Sequence, residues 1–486
     1  MSSALMIGVS GLRGVIGSTL TPETASRFAG VYGGWLVEQA KGKPVDVVVG
    51  RDGRAGHAFI HHAALAGLTA SGCRVIDIGV TMTPTSAVMT DHVAREAGTM
   101  GLVAGMELTA SHNPQMWNGL KCLVPDGLGE CNSSACAPPA VVANELVSRF
   151  HVGKVGLAPW DRVGSVVEDD SAVEIHLARV LSALADSGVA DDPAEIGRGL
   201  NVVLDSVNGS GAVGGLAALE HMGVGEILQL GDSDSGVFSH APEPTKENLV
   251  DTARAVLESG ANVGFAQDPD ADRLAIIDDM GRYIGEEYTL VLSALALLGA
   301  MKRRGEPTQG VTLVVNLSTS RMIDDLAARF GARVLRTAVG EANVVETMKR
   351  ERSVVGGEGN GGVIWPRVTY VRDSVAGMGL VLSLLNQGRT SLSSIVDALP
   401  AYAIVKRKVD LAKKEDAAPA VEALRKAYAA ERLDTQDGVR IDFLSSRAWL
   451  HVRASNTEPI MRLIAEAPTE AMASQILDDA QRHIRG

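Results

Sequence analysis

One pattern occurs three times along this chain and limits what it can fold into. Val45–Gly79 runs as a β-rich segment (VDVVV), a polar loop (GRDGR), a helical stretch closing at Gly72 and a second β-rich segment (RVIDIG). Asn201–Gly231 repeats the order with NVVLD, SVNGSG, a helix closing at Gly223 and EILQLG. Thr312–Gly340 repeats it again with TLVVN, LSTSR, a helix closing at Gly331 and RVLRTAVG. In each unit a loop feeds a helix N-terminus and a glycine stops the helix. Units spaced this widely specify an α/β protein with three similar mixed-sheet domains rather than one large sheet. In such units ligands lie at the loops after the strands' carboxyl ends, so Arg51–Arg54, Ser206–Gly211 and Ser318–Arg321 are candidate site-facing edges.

The rest of the chain departs from this pattern. Residues after about 396 read as a strand (AIVKRKVDL), a helix (AAPAVEALRKAYA), two strands (GVRIDFL, AWLHVRA), another strand (MRLIAEA) and a terminal helix. That is an α+β module with antiparallel pairing. Asp126–Pro159, with its cysteines and paired prolines, reads as a variable helix before a linker. The expected division is 1–160, 161–282, 283–396 and 397–486, and a chain of 486 residues is too long for a single core in any case.

Charge and cysteines exclude several functions. The net charge of −13 disfavours broad nucleic-acid or anionic-membrane binding, so any phosphate must be held by local arginines. Cys73, Cys122, Cys131 and Cys136 fit neither a disulfide scaffold nor a C-x-x-C zinc site, and Cys122 reads as a small buried thiol. MSSALMIGVSG lacks the charge pattern of a signal peptide, and the longest apolar run, Thr289–Met301, is too short to span a bilayer. The expected location is cytoplasmic, with neither membrane nor nucleic acid as partner.

Four stretches carry chemistry. Thr109–Lys121 (TASHNPQMWNGLK) follows the apolar run Gly101–Leu108, which reads as a buried strand, so Ser111 sits where a strand opens into a loop. A serine hydroxyl needs activation, and without a G-x-S-x-G elbow a phosphoryl carrier suits it better than a hydrolase triad. Taken alone, the stretch fits a helix-capping turn equally well. Gln267–Arg273 (QDPDADR) sets Asp268, Asp270 and Asp272 at alternate positions, where they would repel unless a cation sat among them; hard oxygen ligands suit Mg²⁺. Arg273 follows directly and could hold the same phosphate. Gly356–Gly362 (GGEGNGG) surrounds Glu358 and Asn360 with glycines, which suits either recognition of vicinal sugar hydroxyls or a mobile hairpin tip. Arg453–Arg462 (RASNTEPIMR) gathers two arginines with Ser455, Asn456 and Thr457, a donor set suited to a phosphate dianion.

Further candidates are weaker. The glycine-rich stretch Met6–Gly17, with Ser10 and Arg13, could offer backbone N–H groups to an anion. Arg51, Arg54 and His57 could approach the site or cap the following helix, while His61 and His62 read as helix-face residues.

TASHNP, DPDADR, GEGNGG and RASNTEP, in this order, resemble the signatures of the α-D-phosphohexomutase family over essentially the full chain. GEGNGG looks most like the archaeal-type phosphoglucosamine/phosphomannose mutase branch. The resemblance implies four domains around a central cleft, the last one mobile. It implies a phosphoserine at Ser111, with Mg²⁺ held by its phosphate and by Asp268, Asp270 and Asp272. His112 and Lys121 would serve in acid/base work, and Arg13 and Arg273 would flank the phosphate. Glu358 and Asn360 would bind sugar hydroxyls, and Arg453, Ser455, Asn456, Thr457 and Arg462 the unreacting phosphate. The implied reaction interconverts hexose 6-phosphate and hexose 1-phosphate through a 1,6-bisphosphate, which is also the activator. Glucosamine phosphate is the expected substrate, mannose or glucose phosphate the alternative, and a phosphatase using the same phosphoserine a more distant one. A sugar phosphate is the expected partner of a monomer or homodimer. Three positions depart from the commonest family pattern: Asn360 replaces a frequent Ser, Gly53 a frequent Thr or Ser, and Glu107 an apolar residue.

Overall fold

The computed structural model describes residues 5–8, 11–98, 100–125, 135–388, 390–454 and 460–485. These form four sheets. The first has seven strands in the order Met6–Gly8, Gly11–Val15, Trp117–Leu123, Leu102–Leu108, Val45–Arg51, Arg74–Val80 and Val166–Glu168. Alternation along Val45–Arg51 explains why both faces are covered. Val45, Val47 and Val49 pack under the helices Pro22–Ala40 and His57–Ala70, while Val48 turns to Met89 and Val93 of the helix Thr83–Ala97.

The second sheet runs Glu226–Leu230, Asn201–Asp205, Val263–Gln267, Leu274–Asp278, and the third runs Arg333–Thr337, Thr312–Asn316, Val355–Glu358, Gly362–Ile364. Both consist of three parallel strands closed by one antiparallel strand. The centre of the first sheet has the same arrangement, with Arg74–Val80, Val45–Arg51 and Leu102–Leu108 parallel and Trp117–Leu123 antiparallel. Each repeat read from sequence is therefore half of a larger unit. Its second half is a strand–turn–strand hairpin, and the three hairpins carry TASHNP, DPDADR and GEGNGG.

The glycine stops fall where they were read, with Gly72, Gly223 and Gly331 all at positive φ. The fourth sheet, Ala403–Asp410, Ile460–Ala467, Ala448–Ala454, Val439–Phe443 and Arg432–Asp434, is antiparallel throughout and is covered by the helices Ala417–Ala427 and Glu470–Arg485. The stretch before the second unit holds a helix, Ala140–His151, whereas Cys131 lies outside the described residues.

The glycine-rich stretch near the start is built into the first sheet. Met6–Gly8 and Gly11–Val15 pair antiparallel, and Leu12–Val15 pair with Trp117–Leu120, so this backbone belongs to a ladder. Gly11, at φ 84°, lies against the backbone of Leu120 where a Cβ would collide, so its lack of a side chain serves sheet packing. Ser10 lies outside the described residues.

The second and third units share one apolar core that includes Leu204, Phe265, Leu290, Leu313, Val355 and Leu380. Met82 and Val88 of the first unit join it. Among the described residues no helix is long and apolar enough to cross a membrane.

The loop Ser206–Gly211 braces the aspartate hairpin: the Ser210 backbone N–H and its hydroxyl both donate to the Pro269 carbonyl, at 2.9 and 3.0 Å. A Cβ on Gly209 would meet backbone atoms of Pro269 at 2.6–3.0 Å. Gly209→Ala should therefore overpack this brace and cost about 1–3 kcal/mol of stability. An unchanged urea midpoint would contradict this packing argument.

Candidate active site

Ser111 is 3 % exposed and has φ 48°, a left-handed backbone that a residue with a side chain adopts only when its surroundings enforce it. The enforcement is a buried network. Arg54, fully buried, donates Nη2 to the Ser111 carbonyl at 2.6 Å, Nη1 to the Trp117 carbonyl at 2.8 Å and Nε to Asp52 at 2.8 Å. Asp52 also accepts from the Thr109 hydroxyl at 2.7 Å, and that hydroxyl's oxygen accepts from the Ser111 N–H at 2.8 Å. Both ends of the serine turn are thus tied to one guanidinium. The Ser111 hydroxyl donates to Asp268 at 2.8 Å and stands 3.4 Å from His112 Nδ1.

Asp268, Asp270 and Asp272 are fully buried, and each offers one oxygen within 4.8 Å of the others'. Burial first, and then the neighbouring Asp270 and Asp272, push the Asp268 carboxyl well above the ordinary carboxylate range. Burial would raise Asp272 too, yet Arg372, Lys121 and Arg273 hold it below the ordinary range. Asp272 Oδ2 receives Arg372 at 2.6 Å and Lys121 at 3.3 Å; Asp270 Oδ2 receives the Thr83 hydroxyl at 2.7 Å. Oδ1 of both Asp270 and Asp272 is buried without a hydrogen-bond partner. Three hard oxygen donors, two of them otherwise unsatisfied, fit a divalent cation of the Mg²⁺ type.

Lys121 lies across the sheet from Glu107, on the strand that follows the serine turn. Burial lowers its affinity for a proton, but Glu341, Asp272 and Asp270 together outweigh burial and leave it above the ordinary lysine value, so it is an ammonium ion. His112 is pushed the other way, by burial first and then by Arg273 and Arg13, and is a neutral imidazole at pH 7. Arg13 Nη1 reaches the Asn113 side chain at 3.0 Å. Arg273 sits 3.9 Å from Asp272 and from Glu243.

A cavity of about 460 Å³ opens in front of these groups and is lined from all four units: His112; Glu243 and Arg273; Asn316, Glu358 and Asn360; Arg453 and Arg462. Glu358 ends a strand and accepts from Asn316 at 2.9 Å, the Gly340 N–H at 3.2 Å and Arg372 at 3.4 Å. Arg453 and Arg462 face each other across adjacent strands. Ser455, Asn456 and Thr457 lie outside the described residues. The structure thus brings Ser111, His112, Lys121, the three aspartates, Arg13 and Arg273 together, with Glu358, Asn360, Arg453 and Arg462 around one adjoining space.

Some participants were absent from the sequence reading. Arg372 bridges Asp272, Glu341 (2.8 Å) and Glu358, yet it lies in VRDS, a stretch with no local motif. Asn316 closes the TLVVN strand, and only the rule about carboxyl ends pointed there. Arg54, read as able either to approach the site or to cap the following helix, holds the serine turn. Arg51 and His61 instead both engage Asp77, at 3.0 and 2.9 Å.

Domain profiles of one family match the chain in order. They are phosphoglucomutase/phosphomannomutase α/β/α domain I over residues 4–133, domain II over 181–281, domain III over 288–402 and the C-terminal domain over 405–483. A protein of Methanopyrus kandleri named probable phosphoglucosamine mutase is 34% identical over 97% of this chain and 96% of its own length. A phosphoglucomutase/phosphomannomutase of Thermococcus kodakarensis is 33% identical, with 97% of each chain covered. The crystal structure of a phosphoglucomutase/phosphomannomutase family protein from Burkholderia thailandensis superposes with a TM-score of 0.79 at 23% identity, covering 99% of this chain and 98% of its own, a likeness of fold.

Two predictions come from the electrostatics. Asp270→Asn removes one of three mutually repelling charges. It should raise the melting temperature in chelator and abolish the rise that Mg²⁺ gives the wild type; an undiminished response to Mg²⁺ would count against a cation among these aspartates. Glu287 accepts from the Ser320 N–H at 2.9 Å and packs beneath Gly359, and burial pushes its carboxyl up to about 8. The folded protein therefore keeps a proton that the unfolded chain has released, and stability falls as pH rises from the ordinary carboxyl range to about 8. Glu287→Gln should remove that fall, so its melting temperature should gain on the wild type between pH 5 and pH 8. A constant difference over that range would refute the assignment.

Proposed function

This chain belongs to the phosphoglucomutase/phosphomannomutase family of phosphohexomutases, and we propose that the sugar phosphate it isomerises is glucosamine phosphate. The observation that carries the chemical reading is the Ser111 hydroxyl bonded to Asp268 inside the three-aspartate enclosure, facing a cavity lined by Glu358 and by Arg453 and Arg462. The substrate reading is supported by whole-chain relatives named probable phosphoglucosamine mutase. A relative of nearly equal identity is named phosphoglucomutase/phosphomannomutase, which keeps those sugars as the second reading. Nothing in the site favours a phosphatase.

In this proposal Ser111 is a phosphoserine that gives its phosphoryl group to the free O1 or O6 of the bound sugar monophosphate. The resulting 1,6-bisphosphate turns in the cavity and returns its other phosphate to Ser111. Asp268, Asp270 and Asp272, with the phosphate on Ser111, would hold Mg²⁺, which when bound spreads the charge of the phosphoryl group. The neutral His112 is able to take the proton of the attacking hydroxyl, and the Lys121 ammonium to supply one to Ser111 Oγ as the phosphoryl group leaves. Arg13 and Arg273 flank the transferred group. Glu358, already fixed by three donors, and Asn360 accept and donate to the ring hydroxyls, so the sugar is oriented without reorganisation of the protein. Arg453 and Arg462, completed by Ser455, Asn456 and Thr457, hold the phosphate that is not reacting. A donor nest built from several short side chains accepts that phosphate from either end of the sugar.

Incubation with glucosamine 1-phosphate and a trace of the 1,6-bisphosphate should give glucosamine 6-phosphate, and Ser111→Ala should give none. Arg453→Ala should raise KM about tenfold or more with a smaller change in kcat, whereas Asp270→Asn should lower kcat at least about a hundredfold. Equal kcat losses in both variants would contradict this division of labour.

A further inference from the structure

Residues 231–249, between the strand Glu226–Leu230 and the helix Val250–Ser259, contain neither helix nor strand. A connection this long in a packed protein is usually a functional segment. Here it is a strap from the second unit laid across the serine turn of the first. The Gly236 carbonyl accepts from the Ala55 N–H at 2.8 Å and from Gln115 Nε2 at 3.0 Å, and the Phe238 N–H donates to Gln115 Oε1 at 2.7 Å. The Phe238 ring lies under the Arg54 guanidinium, 5.2 Å from its centroid. Further on, His240 Nε2 is 3.1 Å from the buried Asp205, and the Tyr283 hydroxyl donates to the Pro244 carbonyl at 3.1 Å.

The product of this anchoring is Glu243. Its own carbonyl accepts from the Thr245 N–H and from Asn248 Nδ2, both at 2.8 Å, so the backbone is fixed. Its carboxylate faces the cavity, half exposed, and accepts no hydrogen bond. Its nearest basic groups, the Arg273 guanidinium and the neutral His112 imidazole, stand at 3.9 and 4.0 Å. The other carboxylates lining the cavity are satisfied: Glu358 by three donors, and Glu286 by Lys406 at 3.0 Å.

We infer that Glu243 recognises the ammonium group of an amino sugar phosphate and so sets the preference for glucosamine over glucose phosphate. The inference rests on the substrate reading above. A carboxylate held in a cavity built for phosphates repels a substrate whose only charges are negative. It becomes favourable when the substrate brings a positive charge of its own, because a charge-assisted bond to an ammonium group is stronger than one to a hydroxyl. The strap fixes the backbone that carries the carboxylate, and Arg273, at 3.9 Å, leaves its oxygens free of hydrogen bonds.

The test compares kcat/KM for glucosamine 6-phosphate and glucose 6-phosphate, with the 1,6-bisphosphate present, in the wild type and in Glu243→Gln. The selectivity ratio should fall about tenfold or more in the variant, chiefly through a higher KM for glucosamine phosphate. Calorimetry in a Ser111→Ala background should show weaker glucosamine 6-phosphate binding on adding Glu243→Gln. A ratio that stays within twofold, with the wild type still preferring glucosamine phosphate, overturns the role of Glu243 alone. Equal losses for both sugars also overturn it, since they would mark Glu243 as a support for the strap. A wild type that prefers glucose or mannose phosphate overturns the substrate reading itself and the inference with it.

Discussion

Three carboxylates held where water cannot reach them repel one another, and the polar architecture at the centre of this molecule is arranged around that repulsion. Asp268 receives the Ser111 hydroxyl, Asp270 the Thr83 hydroxyl, and Asp272 the cationic ends of Lys121 and Arg372. Ser111, Thr83 and Lys121 come from the first unit and Arg372 from the third, so the aspartate hairpin of the second unit is answered by both neighbours. Buried ion pairs of this kind add little net stability, because desolvation offsets most of their attraction. Their consequence here is positional: the units settle where the charges are compensated, and the serine is placed against the aspartates by the same requirement.

The three β-α-β repeats were legible because hydrophobic runs, polar loops and glycine stops recur at similar spacing, and the sheets contain them. The hairpins that complete each unit were not seen as equivalents. TASHNP, DPDADR and GEGNGG share no common pattern, and their equivalence is a matter of topology alone: each joins a third parallel strand to an antiparallel one. Arg372 was invisible for a related reason. It gathers Asp272, Glu341 and Glu358 from distant parts of the chain, and no local pattern encodes a long-range bridge. Glycines near the start carry two readings at once, because Gly11 is needed for close packing against Leu120 and the same residue type also marks anion loops.

Two of the departures from the family pattern have physical accounts. Gly53, at φ 74°, has a left-handed backbone and lies against Val80, so a larger residue here would be strained and would crowd Val80, while a side chain on Gly236 of the strap would meet the Gly53 carbonyl. Glu107 occupies a fully buried strand position. Burial pushes its carboxyl well above the ordinary range, so it stands as a neutral acid accepting the Ser86 hydroxyl rather than as a second anion beside the aspartates. Its neutrality also matters for Lys121, directly across the sheet: the ammonium is left to Glu341 and Asp272, on the side of the site.

The seam between the third and fourth units is of a different kind from the apolar core shared by the second and third. Arg440, buried against the Trp449 ring, donates to the Leu317 carbonyl, and His451 links Ser318 to the Asp437 carbonyl, both at 2.8 Å. The Asp437 side chain accepts from the Val339 N–H, Glu466 from the Arg321 N–H, and Lys406 reaches Glu286. Burial depresses the His451 imidazole to about 4, so it joins this seam uncharged. A polar seam exchanges its partners for water at modest free-energy cost, whereas separating an apolar core exposes surface that water rejects. Of the two seams, the one at the fourth unit is therefore the less costly to open. That unit carries Arg453 and Arg462, so these cavity-lining side chains can shift while the enclosure around Ser111 keeps its geometry.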